Sequence, residues 1–493
     1  MLIRSSGTTI PGDRKVGVRT VLSSSKRSQP HSITPHDVAG GPVRARMPAV
    51  GVAVAALVAV AAGAGAFTAG GGLDRIPLLD RPAAAATEAA GLLCLALVWV
   101  RPRDRRTRRT GLLLAAGVAV AVAGLAVLLR SAGTVNDAYP PAFAIWVGAV
   151  LAAIAGCPLA LMWPGERPAA WRRATALAAV PLTAAGALML IDQEYGVWPT
   201  VGDVIGHDGT LRGADARRAL DGGAPGGSAA DGMLMMLDAP ATVSHFAHRP
   251  GAVYLPPAYF GPQGEGLPVL VMLVGAPGTP INWLRAGGGR AADDAYAAAH
   301  HGVAPVLVVA DQNGSATGDT ECVDGPYGNA ETYLTVDVPA FITGTLHLRR
   351  DPARWGIIGF SEGGTCALDL VLGHPDVYRH AVDLAGDARP NLGSPPQTLA
   401  ALYGGDAAAE RAHDPEVLLA GRAYPGVTLW FGAGHGDPRC AAVSRRLAAL
   451  ATHDGIPTHQ FVGAGGHNWQ FASAALREVL PGLAAQMGLP GPA

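Results

Sequence analysis

The chain has 493 residues, enough for more than one domain and for a large hydrophobic core. Its 37 basic and 38 acidic residues leave a net charge of -1, so neither nucleic acid nor another polyanion is implied as a partner. A charged fraction of 15% and a mean hydropathy of +0.25 are unusual for a wholly soluble protein. Together they indicate membrane-spanning segments.

The first half of the chain divides into a polar tail and an apolar region. Residues 1–46 are polar and basic without an apolar period, which predicts a disordered tail. Met47 then opens an apolar run, so Met1 and Met47 both stay open as the start of translation. Residues 47–192 alternate apolar stretches of membrane-spanning length with short polar loops. Spans are predicted at 48–69, 84–100, 111–130, 143–163 and 174–191; the count falls to four if the first is a cleaved signal peptide.

The charges of the loops predict the orientation of these spans. The loop Arg101–Arg109 carries six arginines, and the loop before the last span carries Arg172 and Arg173. Basic loops face the cytoplasm, so the chain after Asp192 is expected outside whether there are four spans or five. Helices buried in a soluble α-domain are the alternative. No span holds an array of ionisable groups typical of a transport path, which weighs against a transporter or sensor.

The second half is predicted to hold a linker followed by one α/β domain. Residues 206–232 are dense in Gly, Ala and Asp, and the segment 193–232 is predicted as a linker. Residues 233–489 contain short apolar runs separated by helix-like stretches, which predicts a mostly parallel sheet with helices on both faces. The predicted strands lie at 252–256, 268–274, 304–310, 355–360, 380–386, 427–433 and 458–464.

The motif Gly359-Phe360-Ser361-Glu362-Gly363 lies where a predicted strand gives way to a helix. A G-x-S-x-G sequence in this position is typical of a nucleophile elbow, in which the serine sits on a sharp turn. An ordinary glycine-rich turn is the alternative. The elbow requires an acid and then a histidine, each in a loop after a later strand.

Both partners of the serine are present in the expected order. Asp437 follows the strand at 427–433, and His467 follows the last strand and precedes the C-terminal helix. A serine hydroxyl needs such a base, and the base needs an orienting acid. Asp387 remains the second candidate for the acid. His435 is a rival base, although it precedes the acid in the chain.

Acyl transfer also requires hydrogen-bond donors for the developing oxyanion. One predicted donor is the backbone N–H of Glu362, directly after the nucleophile. The other is the backbone N–H of Ala276, in the Gly275-Ala276-Pro277-Gly278 turn after the strand at 268–274. No phosphate loop or ligand cluster of usable spacing indicates a cofactor or a metal.

These motifs together resemble one group of α/β hydrolases. The sequences LVGAPG, GNAETYLTVDVPAFI, GFSEGG and GGHNWQF, in this order, are similar to the esterase D and mycolyltransferase (antigen 85 complex) group. The resemblance covers roughly 242–483 and implies an α/β-hydrolase fold and a Ser-acid-His enzyme that cleaves or transfers acyl esters. The membrane half resembles multi-span, membrane-anchored esterases of actinobacterial type. No segment matches a sugar-binding site, so a trehalose or mycolate substrate is not supported.

The resulting hypothesis is a membrane-anchored serine esterase with its catalytic domain outside the cell. The triad is Ser361, Asp437 and His467, and the substrate is an ester or lipid-like small molecule. The alternatives are an envelope acyltransferase and a non-catalytic binding protein with a hydrolase fold. Outside the membrane, Cys322 and Cys440 could form a disulfide, with Cys366 a packed thiol. Trp283, Tyr327 and Trp469 either line an acyl pocket or pack.

Overall fold

The computed structural model describes residues 78–79, 81–99, 109, 113, 117, 120–122, 124, 141–161, 170–205, 210–220, 232–315 and 318–490. Within these residues, the apolar region contains three helices: α1 (Arg81–Trp99), α2 (Pro141–Leu161) and α3 (Ala170–Tyr195). They coincide with the predicted spans at 84–100, 143–163 and 174–191. The predicted span at 48–69 and most of that at 111–130 lie outside the described residues.

Helix α3 packs against both α1 and α2. Among the described residues, one helical stretch, Arg173–Tyr195, is long and apolar enough to cross a bilayer. A shorter apolar stretch, Ile145–Cys157, lies within α2. Membrane crossing and the number of spans therefore stay predictions.

The second half is built around an eight-stranded sheet. All seven strands expected from the sequence are present, and six neighbouring strands run parallel, as predicted. The strands are β1 (Met233–Leu237), β2 (Gly251–Leu255), β3 (Val269–Leu273), β4 (Val306–Val309), β7 (Trp355–Phe360), β8 (His380–Leu384), β9 (Thr428–Gly434) and β10 (Thr458–Gly463), and a separate small hairpin is formed by β5 (Asp324–Gly325) and β6 (Gly328–Asn329). The order of strands in the sheet is β1-β2-β4-β3-β7-β8-β9-β10, with β1 and β2 antiparallel at one edge.

Helices cover both faces of the sheet, with one buried apolar cluster on each side. Strands β2, β3, β4, β7 and β8 are buried along their whole length, because side chains on both faces meet helices. The helices are α4 (Val201–Ile205), α5 (Gly213–Leu220), α6 (Gly289–Ala299), α7 (Ala330–Thr332), α8 (Val338–Gly344), α9 (Glu362–Gly373), α10 (Pro395–Tyr403), α11 (Ala407–Ala412), α12 (Pro415–Gly421), α13 (Pro438–His453) and α14 (Trp469–Gln486). This is an α/β-hydrolase-like fold.

Parts of the segment predicted as a linker pack onto this fold. Leu211 exchanges backbone hydrogen bonds with the edge strand β1, and Ala216 and Ala219 of α5 are completely buried. Residues 210–220 therefore pack against the edge of the sheet and do not behave as a free linker. The boundaries at 192, 193, 232 and 233 stay predictions.

The expected cysteine pairing is wrong. Cys322 forms a disulfide with Cys366 of α9, and Cys440 is a free, buried thiol. Cys366 follows the nucleophile by five positions and faces the loop after β4, which brings its Cα to 5.5 Å from that of Cys322. Cys440 lies instead in the first turn of α13, beside His467. The disulfide therefore joins α9 to the loop that follows β4.

Candidate active site

Ser361 sits at a sharp turn between β7 and α9. Its φ of 61° and ψ of -127° are unusual for a residue with a side chain, and such backbone strain concentrates at functional sites. The backbone N–H of Ser361 donates to the Leu384 carbonyl at 2.8 Å, which ties the turn to the neighbouring strand β8. The turn therefore has the strand-to-helix geometry that G-x-S-x-G predicts.

Two glycines of the motif allow this turn to close. A Cβ at Gly359 would run into the backbone of Gly363, and a Cβ at Gly363 would run into the Leu273 carbonyl of β3. Both positions exclude a side chain, since the obstacle in each case is backbone. The glycine spacing therefore reflects close packing of the turn against β3 and α9.

His467 lies between the serine and an acid. Its Nε2 is 2.8 Å from Ser361 Oγ, and its Nδ1 is 2.7 Å from Asp437 Oδ2. Ser361, Asp437 and His467 come from the turn after β7, the loop after β9 and the loop after β10. The sheet brings them together because β7, β9 and β10 are parallel and end at the same edge.

Asp437 caps helix α13 and orients His467 with its other carboxylate oxygen. Oδ1 accepts the Cys440 N–H at 3.1 Å, while Oδ2 faces the imidazole. Burial raises the pKa of Asp437, but hydrogen bonds from His467 and Cys440 outweigh burial and lower the pKa to about 2. The carboxylate is therefore ionised across the physiological pH range.

The rival acid and base have other partners. Asp387 binds Arg439 and accepts the Asn391 side-chain amide at 2.9 Å. His435 is exposed and its Nδ1 contacts the Gly463 carbonyl at 2.5 Å. Neither residue belongs to the chain of hydrogen bonds that begins at Ser361.

The loop that follows β3 packs directly against the nucleophile. A Cβ at Gly275 would come within 2.8 Å of Ser361 Cβ, so only glycine allows this approach. Ala276 directly follows Gly275 in this loop, and Glu362 directly follows Ser361. Within the described residues, neither of their N–H groups donates to a backbone oxygen, and the first amides of a helix such as α9 have no intrahelical partner.

Two side chains that the sequence reasoning missed hold this loop at both ends. The Gln312 side-chain amide donates to the Val274 carbonyl, and Arg249 Nη1 donates to the Gly278 carbonyl at 2.8 Å. Arg249 is itself fixed by Asp311, with Nη2 2.7 Å from Oδ1 and Nε 3.0 Å from Oδ2. Arg249 precedes β2 and Asp311 follows β4, so no local pattern signals their meeting.

The Glu362 side chain points into a buried cluster of carboxyl groups. Its Oε2 accepts the Asn313 side-chain amide at 2.6 Å. Burial, followed by the charge of Asp319, raises the pKa of Glu362 well above its ordinary value. Burial and Asp319 raise the pKa of Glu321 in the same way, and burial raises that of Asp319 to about 6. The Glu362 carboxyl group therefore favours its neutral form.

Trp283 and Trp469 belong to the apolar cluster on one face of the sheet. Packing was one of the two alternatives predicted for these residues. Trp283 is 0% exposed and donates its indole N–H to the Leu273 carbonyl at 2.6 Å. Trp469 meets the rings of Trp283 and Phe360 at 5.3 Å, and Phe360 lies 5.0 Å from the His467 ring. Tyr327 is 58% exposed in the β5–β6 hairpin.

Two groups in the described part of the chain have ligand atoms close enough for a metal ion: Asp437, Cys440 and His467, and Cys322, Glu362 and Cys366. The first shares its atoms with the Asp437–His467 hydrogen bond. The second is occupied by the disulfide. Neither provides a metal-binding set that is independent of these bonds.

Residues 247–483 match the model of the Esterase family, described as "Putative esterase". The chain is 35% identical over 254 residues to an uncharacterised protein of Corynebacterium glutamicum, covering 50% of this chain and 60% of that protein. It is 28% identical over 195 residues to the S-formylglutathione hydrolase of Paracoccus denitrificans, covering 36% and 66%. It is 24% identical over 189 residues to the diacylglycerol acyltransferase/mycolyltransferase Ag85B of Mycobacterium avium, covering 32% and 56%.

The chain thus spans 56% to 66% of the length of these relatives. All three alignments cover half of this chain or less. The family match lies wholly within the second half of the chain, and the relatives there include an S-formylglutathione hydrolase and an antigen 85 mycolyltransferase.

Proposed function

We propose that this protein is a membrane-anchored serine esterase that acts on carboxylic esters at the outer face of the membrane. The observation that carries the proposal is the continuous chain from Ser361 Oγ to His467 Nε2 at 2.8 Å and from His467 Nδ1 to Asp437 Oδ2 at 2.7 Å. A nucleophile, a base and an orienting acid in this geometry constitute the machinery of acyl transfer.

In the first half-reaction, Ser361 Oγ attacks the ester carbonyl carbon and transfers its proton to His467 Nε2. Asp437 accepts the hydrogen bond from Nδ1–H and stabilises the imidazolium. The N–H groups of Ala276 and Glu362 receive the oxyanion, and removing one such donor typically costs about 10²- to 10³-fold in rate. The ester C–O bond then breaks, and His467 delivers the proton to the leaving alcohol.

The acyl group then leaves Ser361 by the reverse sequence. His467 takes a proton from the incoming acceptor, whose oxygen attacks the acyl carbon, and returns the proton to Ser361 Oγ. Water as the acceptor gives hydrolysis, and an alcohol gives acyl transfer. The similarity to a diacylglycerol acyltransferase/mycolyltransferase supports transfer as the second candidate.

The surface of the N-terminal helices supports the membrane anchor. Large apolar side chains on α1, α2 and α3 are 40% to 67% exposed: Leu92, Leu93, Ile145, Leu151, Ile154, Leu177 and Leu188. A soluble protein rarely presents such a surface to water, whereas a bilayer solvates it. The arginine-rich loops then predict a cytoplasmic side opposite to the hydrolase.

The test uses the purified full-length chain in detergent with p-nitrophenyl esters of increasing acyl length and a fluorophosphonate probe. We expect turnover and labelling by the wild type. Ser361→Ala should abolish labelling, and both Ser361→Ala and His467→Ala should lose turnover by on the order of 10³-fold or more.

His435→Ala is the matched control, because His435 is an exposed histidine near the same edge of the sheet without a contact to Ser361. It should keep turnover within about threefold of the wild type. A folded wild type that neither turns over any ester nor reacts with the probe would contradict the proposal and favour a binding protein.

A further inference from the structure

The segment that connects α3 to the hydrolase domain touches the rim of the candidate active site. We call residues 193–205, from the last residues of α3 to the end of α4, the neck. The Gln470 side-chain amide donates to the Gln193 carbonyl at 2.9 Å. Arg285 Nη1 donates to the Asp203 carbonyl at 3.1 Å, which fixes the other end of the neck.

Both hydrolase residues lie close to catalytic elements. Gln470 is in the first turn of α14, three positions after His467. Arg285 lies between the predicted oxyanion loop and α6. The neck therefore contacts the edge of the sheet at which Ser361, Asp437 and His467 meet, rather than the opposite edge.

The contact is closely packed. Gly196 has a φ of 69°, and a Cβ there would come within 2.7 Å of the Gln470 side chain. Val197 packs against the apolar cluster that contains Trp283, Phe360 and Trp469. A packed and hydrogen-bonded segment of this kind fixes the end of α3 relative to His467, in contrast to a flexible linker.

The distances involved are short on the scale of a membrane. Three residues of chain span at most roughly 10 Å, so His467 lies within about one such length of the residue that touches Gln193. The polar layer on each side of the hydrocarbon core is about 5 to 8 Å thick. If α3 crosses the bilayer and ends at Tyr195, the triad lies at or just above that layer.

The composition of the neck fits this position. Trp198, three positions after the end of the apolar stretch Arg173–Tyr195, is 41% exposed, and Val204 further along the neck is 54% exposed. Tryptophan at the end of a span is typical of the interface between lipid and water. The backbone N–H of Trp198 donates to Asp192 Oδ1 at 2.8 Å, which fixes the residue next to the helix end.

We propose that the neck holds the catalytic opening against the outer surface of its own membrane, so that the substrate is an amphiphilic ester carried in that leaflet. The inference rests on the proposed function, including the membrane anchor. The lipid acyl C–O bond breaks, the acyl group passes to Ser361 Oγ, and the Ser361 proton goes through His467 to the departing alcohol. The acyl chain never has to cross water.

The experiment uses full-length protein reconstituted in phosphatidylcholine vesicles and two fluorogenic esters with the same leaving group. 4-Methylumbelliferyl oleate is placed either in the same vesicles as the protein or in separate vesicles, and 4-methylumbelliferyl butyrate is supplied in solution. We expect the oleate in the protein's own bilayer to be hydrolysed at least about tenfold faster than the oleate in separate vesicles, because a shared membrane raises the effective concentration.

The neck is tested with the double variant Gln470→Ala/Arg285→Ala and, independently, with Gly196→Val. Both should lower the same-vesicle oleate rate about fivefold or more while butyrate turnover stays within about twofold, since misplacing the opening affects the bound lipid more than a soluble ester. Arg477→Ala, an exposed change on the same helix α14, should alter neither rate.

Equal oleate rates in shared and separate vesicles would overturn the inference, as would neck variants that lower both substrates equally. Butyrate turnover without hydrolysis of bilayer oleate would overturn it while leaving the esterase proposal intact. Loss of both activities and of fluorophosphonate labelling in the wild type would overturn the esterase proposal itself, and the inference with it.

Discussion

Two carboxyl groups close to Ser361 in the fold or in the chain, those of Asp437 and Glu362, have pKa values shifted in opposite directions. On the histidine side, Asp437 accepts hydrogen bonds from His467 and Cys440, and its pKa falls to about 2. Glu362, directly after Ser361, is buried among other carboxyl groups, and its pKa rises well above the ordinary value. Burial raises the pKa of both carboxyl groups. At Asp437 the hydrogen bonds from His467 and Cys440 outweigh burial, whereas at Glu362 deeper burial and the charge of Asp319 outweigh the hydrogen bond from Asn313.

Asp437→Asn gives the largest expected effect, because it removes the charge that orients and stabilises His467. We expect kcat to fall by on the order of 10³- to 10⁴-fold with little change in fold. Stopped-flow acylation with a p-nitrophenyl ester measures this loss. A decrease of less than tenfold would mean that a different group orients the histidine.

Arg249→Met tests the cation that joins Asp311 to the loop beside Ser361. The Asp311 side chain is fully buried, so removing Arg249 leaves a buried charge without its partner. We expect a loss of about 3 to 5 kcal/mol in the free energy of unfolding, measured by urea titration. Arg446→Ala, which breaks an exposed ion pair with Glu416, is the control and should cost less than about 1 kcal/mol.

Glu362→Gln tests the raised pKa on the oxyanion side. A raised pKa means that the folded wild type binds the proton more tightly than the unfolded chain. The stabilisation that Glu362 contributes is therefore fully present below its ordinary pKa of 4.5. It is lost as the pH rises toward the pKa that Glu362 has in the folded protein. Glutamine keeps the acceptor for Asn313 but does not titrate.

The urea midpoints of Glu362→Gln and the wild type, compared from pH 5 to pH 9, should therefore diverge, with the variant declining less. Parallel curves would show that Glu362 is not the titrating group. Asp437 has the opposite sign: its contribution is present above its ordinary pKa of 3.8 and is lost only as the pH falls toward 2.

Asp387→Asn should have the smallest effect. Asp387 pairs with Arg439, whose side chain is 66% exposed, and has no contact with His467. Exposed pairs of this kind contribute little, so kcat/KM should stay within about threefold of the wild type. A loss as large as that of Asp437→Asn would reassign the acid.

Local patterns in the sequence predicted most of the hydrolase fold. The seven apolar runs became strands because such runs, bounded by turn residues, need burial on both faces. Met233–Leu237 was missed as a strand, although the domain boundary was placed at its start. It lies at the edge of the sheet, where a five-residue apolar run is ambiguous without its antiparallel partner β2.

The ETYL sequence at residues 331–334 makes contacts that residue spacing did not predict. Glu331 contacts His374 Nε2 at 2.7 Å and His413 Nε2 at 3.6 Å, which joins the segment before β7 to the end of α9. Although burial raises the pKa of Glu331, the hydrogen bond from His374 and the charge of His413 lower it overall. The ETYL segment therefore contacts the C-terminal end of α9, the helix that follows Ser361.

The sequence by itself determined the order of the elements and the order nucleophile, acid, histidine, because strand period and turn chemistry are local properties of the chain. Only the tertiary structure decided which distant groups meet. The Cys322–Cys366 disulfide spans 44 positions, Arg249 meets Asp311 across 62, and Gln470 meets the neck across 277. Such pairings depend on how the sheet and its loops pack in three dimensions, which residue spacing does not encode.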